Sequence, residues 1–122
     1  MISDTLRLVM QNEGTVAIVA QGKDFPHVVN TWHSFVRVNG DNFMVPVGGM
    51  NTMEAILSDD NRVLMTIGSR EVEGLHGMGA GFLVSGNATI VYDGDECARM
   101  KADYPWARAM MKIAIKDFTQ TT

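Results

Sequence analysis

Asn39-Gly40 stands between two apolar runs and makes them neighbours. Both residues tolerate positive φ, as a tight hairpin turn requires, so the flanking runs should pair antiparallel. The run before it, His27 to Val38, is the longest strand expected in the chain. It is apolar in parts on both faces, with polar residues scattered through its middle. The run after it, Asn42 to Val47, is the returning strand. Pro46 interrupts that strand, and a proline brings no N–H to a ladder, so it belongs at an edge, an end or a bulge.

The other segments follow the same strand-and-turn pattern. Ser3 and Asp4 cap a short helix with Leu6, Val9 and Met10 on one face, ended by Asn12 and Gly14. Thr15 to Ala20 is a β-branched run and reads as a buried strand, followed by a turn from Gln21 to Pro26. Asn51 to about Leu57 is a short helix, with Asn51 as cap and Glu54 three residues on, as in a capping box. Val63 to Gly68 and Phe82 to Tyr92 are strands. Between them Glu71 to Gly81, with glycines at 74, 77, 79 and 81, reads as a loop, either a mobile lid or interface loop or plain irregular structure. Asp93 caps a helix from Asp95 to Ala102, Pro105 stops it, and Trp106 to Phe118 is the last strand.

The sum is a mainly β chain, one domain over residues 1–122, with six strands and two or three short helices. Consecutive strands with hairpin-type turns imply an antiparallel sheet, and so few edges are best hidden by closure into a barrel. Long helices do not alternate with the strands, so a doubly wound nucleotide fold is not expected.

A net charge of −4 argues against non-specific binding to nucleic acid or to an anionic membrane surface. No run approaches the length of a membrane-spanning helix, the N-terminus lacks the pattern of a signal peptide, and Cys97 is the only cysteine. A soluble cytoplasmic protein is expected. A metal centre is not: His27 and His33, on one strand, would stand about 20 Å apart, and His76 lies in the glycine loop. Ser34 beside His33, and Cys97 on a helix, do not form a nucleophile arrangement, and no catalytic residue is assigned.

Two stretches remain. Pro46-Val47-Gly48-Gly49-Met50-Asn51-Thr52-Met53-Glu54 runs from a strand through a glycine pair into a helix. The glycines let something flat approach the backbone, and a helix start offers free N–H groups to an anion. The stretch reads either as a tight, ordinarily capped turn or as the seat of a phosphate-bearing cofactor. Asn30-Thr31-Trp32-His33-Ser34 places a tryptophan among hydrogen-bonding side chains in mid-strand. A core position would leave those groups in need of partners, whereas a heteroaromatic ligand supplies both a stacking surface and polar atoms.

Taken together, Asn12-Glu13-Gly14, Pro26-His27, Val29 to Trp32, Val45 to Met50, Val63 to Thr66, Gly68-Ser69-Arg70, Gly81-Phe82-Leu83 and Trp106 to Ala109 resemble the small FMN-binding proteins of sulfate-reducing bacteria. These belong to the pyridoxamine 5′-phosphate oxidase-like split-barrel flavoproteins, and the likeness spans the whole chain. It implies a six-stranded antiparallel split β-barrel and a homodimer holding FMN at the subunit interface. It implies electron transfer with a separate redox partner, or a small flavin oxidoreductase; the alternative is a non-catalytic binding module for FMN or another flat cofactor. By the same resemblance Asn30, Thr31, Trp32, Phe35, Pro46, Val47, Gly48 and Gly49 lie along the flavin and its ribityl chain. Met50, Asn51, Thr52 and Met53 take the phosphate, and Trp106, Thr122 and Glu13 approach from the partner subunit.

The chain departs from the family pattern at the phosphate turn. Met-His-Lys-Thr-Glu is replaced by Met50-Asn51-Thr52-Met53-Glu54, so the local lysine is gone and Arg70 is the candidate substitute charge. A tyrosine of the family is Phe35 here, and its terminal leucine is Thr122. Oxidation of pyridoxamine phosphate itself is disfavoured, because a second phosphate would need an Arg or Lys cluster that the sequence does not offer.

Overall fold

Ser3 opens the first helix as its position predicts, its Oγ accepting the Leu6 N–H at 3.2 Å. Helix α1, Asp4–Met10, then buries Leu6 and Val9. The structure is a computed structural model and describes residues 2–122. Seven strands follow: β1 (Thr15–Gln21), β2 (Pro26–Trp32), β3 (Arg37–Asn39), β4 (Asn42–Val47), β5 (Arg62–Gly74), β6 (Gly77–Val91) and β7 (Ala109–Gln120). Helix α2, Asn51–Asp59, joins β4 to β5, and α3, Asp95–Asp103, joins β6 to β7.

All strand pairs are antiparallel and form one sheet in the order β2-β1-β5-β6-β7-β4-β3. Alternation decides its faces. Val16, Ile18 and Ala20 of β1 and Val63, Met65 and Ile67 of β5 turn inward, where they join Phe43, Val84, Met111 and Ile113 in one core. Met53 and Leu57 bring α2 onto that core. Pro46 sits where β4 has already left β3, so its missing N–H costs no ladder bond on that side.

Mainly β, antiparallel and three short helices agree with the expectation; the six-stranded closed barrel does not. The sheet has seven strands, and its edges, β2 and β3, do not pair. The expected long strand, His27 to Val38, breaks into a 3-10 turn at His33–Phe35. His33 is the cause. Its N–H donates to the Gly14 carbonyl at 2.9 Å. Its buried ring places Nδ1 3.1 Å from the Val9 carbonyl and 2.5 Å from that of Asn12. The N–H bond still follows the β1–β2 register, one step past Thr15 and Trp32; it is the ring, anchored at the end of α1, that holds the next residues out of the ladder. His27 and His33 therefore do not share a strand, and Ser34 belongs to the turn rather than to a sheet face.

The expected glycine loop is a hairpin. β5 runs on to Gly74, β6 starts at Gly77, and only Leu75 and His76 lie between. Glycine is required here by crowding: a Cβ on Gly74 would stand 2.1 Å from the Gly79 carbonyl and 2.8 Å from the backbone of Thr122. Helix starts differ as well. Asn51 is already helical, and Met50 precedes it in the left-handed region (φ 58°) with no side-chain cap bond. Gly94 (φ 97°), not Asp93, precedes α3. The last strand begins at Ala109, because the Ala107 N–H closes a turn onto the Tyr104 carbonyl at 2.8 Å and keeps Trp106 outside the sheet.

Candidate functional site

β4 delivers Val47 to the rim of the sheet, and the chain then reverses through Gly48, Gly49 and Met50 into α2. Nothing stands within 4 Å of the place a Cβ would take on Gly49. A Cβ on Gly48 would meet the ring of Trp106 at 3.1 Å, so that indole lies against the bare glycine backbone of its own chain. The first helical bond of α2 runs from the Glu54 N–H to the Met50 carbonyl at 2.9 Å. The N–H groups of Asn51, Thr52 and Met53 therefore have no helical acceptor.

A cation does meet this turn, and it is Arg108. Its Nε donates to the Gly48 carbonyl at 2.8 Å, and Nη2 donates to the Gly49 carbonyl at 2.7 Å. Nη2 also reaches Asn51 Oδ1 at 3.2 Å and Glu54 Oε1 at 2.9 Å. The Arg108 N–H donates to the Val47 carbonyl at 2.8 Å, which fastens the start of β7 to the end of β4. Arg70 stands exposed on β5 and makes no ion pair among the described residues. Sequence reasoning missed Arg108, because no local spacing links it to a turn more than fifty residues earlier. Its one signal was its place in the run Trp106 to Ala109.

Beside the turn, Phe35, Tyr104 and Trp106 form an aromatic cluster, with ring centroids 5.0, 5.6 and 5.7 Å apart. Trp106 is still 52% exposed, so it offers an apolar surface that its own chain does not cover. Trp32 is 46% exposed and shares the outer face of β2 with Asn30 and Val28. Thr31, between them, points inward and is buried. The three consecutive residues thus divide between two faces, and only Asn30 and Trp32 present side chains outward. Pro46, Val47 and Met53 are likewise buried, so only their backbones are available at the rim. Asn51 and Thr52 are exposed.

Glu13 holds the turn that follows Trp32. Its Oε2 accepts the Ser34 hydroxyl at 2.6 Å, and Oε1 accepts the Ser34 N–H at 3.0 Å. These bonds favour the charged carboxylate and hold Glu13 below the usual glutamate range, the hydroxyl bond contributing most.

Thr122 is remote from the glycine turn within one chain. It docks on β6, where the Gly81 N–H donates to its carbonyl at 3.2 Å. The turn abuts Ala109 at the opposite end of β7, roughly 35 Å of strand away. Among the described residues no three His, Cys, Asp or Glu side chains gather as a metal site.

No family model matches the chain. It is 48% identical over 122 residues to the FMN-binding protein of Nitratidesulfovibrio vulgaris (strain Miyazaki F), a match covering 99% of both chains. Among solved structures, HupZ of Group A Streptococcus superposes with a TM-score of 0.80 at 15% identity, over 99% of this chain and 94% of that one. A candidate pyridoxamine 5′-phosphate oxidase from Listeria innocua gives a TM-score of 0.71 at 16% identity, over 97% and 96% of the two chains. General Stress Protein 26 of Bacillus anthracis gives 0.70 at 13% identity, over 96% and 91%. These three structural likenesses concern the fold.

Proposed function

The chain belongs to the FMN-binding protein family, within the pyridoxamine 5′-phosphate oxidase-like split-barrel proteins, and from that premise we propose that it binds FMN between two copies of itself and serves in electron transfer or as a small flavin oxidoreductase. One observation carries the reading: a full-length match at 48% identity to a protein named for FMN binding. The residues of the turn fit the ligand. Gly49 offers open backbone beside the Trp106 ring that covers Gly48, and the start of α2 offers unbonded N–H groups to a phosphate. Trp32 and Trp106 offer exposed ring faces to a flat heterocycle.

When bound, FMN supplies the redox chemistry, and the chain supplies position and surroundings. Gly49 admits the ligand closely, and Gly48 lets the Trp106 ring settle beside it. Asn51 and Thr52 add neutral donors at the phosphate end, and Asn30 adds hydrogen-bonding capacity on the face that carries Trp32. Two features support the dimer. The outer face of β2, β1, β5 and β6 exposes Val28, Trp32, Leu64 and Leu83, a run of apolar surface that a second copy would cover. In addition, the glycine turn and Thr122 lie at opposite ends of β7, so a Thr122 that reaches a flavin held at the turn, as the resemblance implies, would do so from a second subunit.

The second reading, a binding module for FMN or another flat cofactor without redox turnover, draws on Thr52, which stands where the family pattern has lysine. The visible spectrum of the purified protein tests the ligand. A flavin band, or its appearance on adding FMN, is expected; a protein that stays colourless after FMN is added would overturn the proposal. Sedimentation of the loaded protein should give twice the chain mass. Reduction by dithionite, followed by transfer of the electrons from the bound flavin to an added one-electron acceptor faster than from free FMN, separates the redox reading from the binding module.

A further inference from the structure

We infer that Arg108 is a positioning residue for the phosphate: it acts through the peptides of Gly48 and Gly49 and not as the cation facing the ligand. The inference rests on the flavin reading above and concerns how this chain manages without the lysine. The geometry begins with planar peptides. No peptide bond of the described chain is cis, and in a trans peptide the carbonyl of one residue points opposite to the N–H of the next. Arg108 draws the carbonyls of Gly48 and Gly49 toward itself at 2.8 and 2.7 Å. The N–H groups of Gly49 and Met50 must then face away from the guanidinium. They add to the N–H groups of Asn51, Thr52 and Met53 at the helix start, giving five successive backbone donors around one bend. Met50 completes the bend in the left-handed region (φ 58°), which a side-chain-bearing residue seldom adopts unless its surroundings hold it there. A run of successive backbone N–H groups suits an anion.

The charge of Arg108 is engaged elsewhere. Its Nη2 pairs with Glu54 at 2.9 Å, in a pair of which both side chains are about two-thirds covered. One side chain thus joins two carbonyls, Asn51 and a carboxylate, which needs the planar fork of a guanidinium. A lysine at the same place is a single ammonium and cannot hold both carbonyls and Glu54 together.

The experiment compares FMN with riboflavin, which lacks the phosphate, on the full-length chain and on three variants, by quenching of flavin fluorescence. Arg108→Lys and Arg108→Gln should each weaken FMN binding at least ten-fold and leave riboflavin within about two-fold. In the flavin-free Arg108→Lys protein, the amide signals of Gly49 and Met50 should shift in a 15N spectrum. If Arg108→Lys binds FMN as the parent does, the residue acts as a charge and the inference fails. Parallel losses of FMN and riboflavin would also overturn it, because they mark a general folding role. Glu54→Gln serves where the arginine variants do not fold. It keeps both carbonyl bonds of Arg108, so FMN should leave the Arg108 Nε–H signal in place; displacement of that signal by FMN would mark a cation turned to the ligand and overturn the inference. A parent protein that takes up neither compound overturns the flavin reading itself, a result distinct from any variant effect.

Discussion

Restoring a lysine at Thr52 tests where the phosphate sits. Thr52 is the second residue of α2, exposed, with a backbone N–H that no helical carbonyl accepts. A phosphate monoester carries about −1.5 to −2 charges at neutral pH. An ammonium about 4 Å away gains roughly 1 kcal/mol per unit charge in water-like surroundings, so about 2 kcal/mol is available at this exposed position. The cation also opposes the helix macrodipole in its first turn, at about 0.3–1 kcal/mol. The local carboxylate that would compete for it, Glu54, is already held by Arg108. The remaining gain is about 1 kcal/mol, which is roughly five-fold in affinity. Isothermal titration of Thr52→Lys with FMN at low and at high salt should show tighter binding that fades with ionic strength, and riboflavin should be unaffected. Unchanged or weaker FMN binding, or an equal gain for riboflavin, would refute the placement of the phosphate at this turn.

Three further outcomes follow from particular contacts. Met53 is fully buried and pins α2 beneath the turn; Met53→Ala should cost about 2–5 kcal/mol in urea unfolding, and an unfolding midpoint equal to that of the parent would show that α2 is not held by the core. Gly74→Ala would place a methyl 2.1 Å from the Gly79 carbonyl and 2.8 Å from Thr122; a loss of about 1–3 kcal/mol is expected, with faster hydrogen exchange at Gly81 as the C-terminus lifts. Glu13 is held below the usual glutamate range by Ser34, so its contribution is present above that range and is lost as pH falls through the depressed value. The Glu13 carboxyl carbon should therefore titrate, by NMR, below an ordinary glutamate, and Ser34→Ala should raise its midpoint; a midpoint at the ordinary value in the parent would remove the Glu13–Ser34 link.

The sequence by itself determined most of what is local. β-branched runs and their alternation marked the strands, and Ser3 marked the start of α1. Asn39-Gly40 marked a hairpin, although the structure keeps Asn39 in β3 and turns on Gly40 (φ 61°) and Asp41. Alternating burial and backbone conformation depend on near neighbours, so they are written in short windows. The glycine pair before α2 was visible for the same reason, as was the family, through motifs spread along the whole chain. Tertiary structure decided the rest. His33 breaks the longest run because α1 offers its ring carbonyl partners, a contact more than twenty residues distant. The four glycines from 74 to 81 belong to a hairpin because the β5–β6 ladder runs out to Gly74 and Gly77, and the C-terminus packs against Gly74 and Gly81. Arg108 reaches the glycine turn only because β7 pairs with β4. Each of these depends on which distant backbone a side chain meets, and no spacing along the chain contains that information.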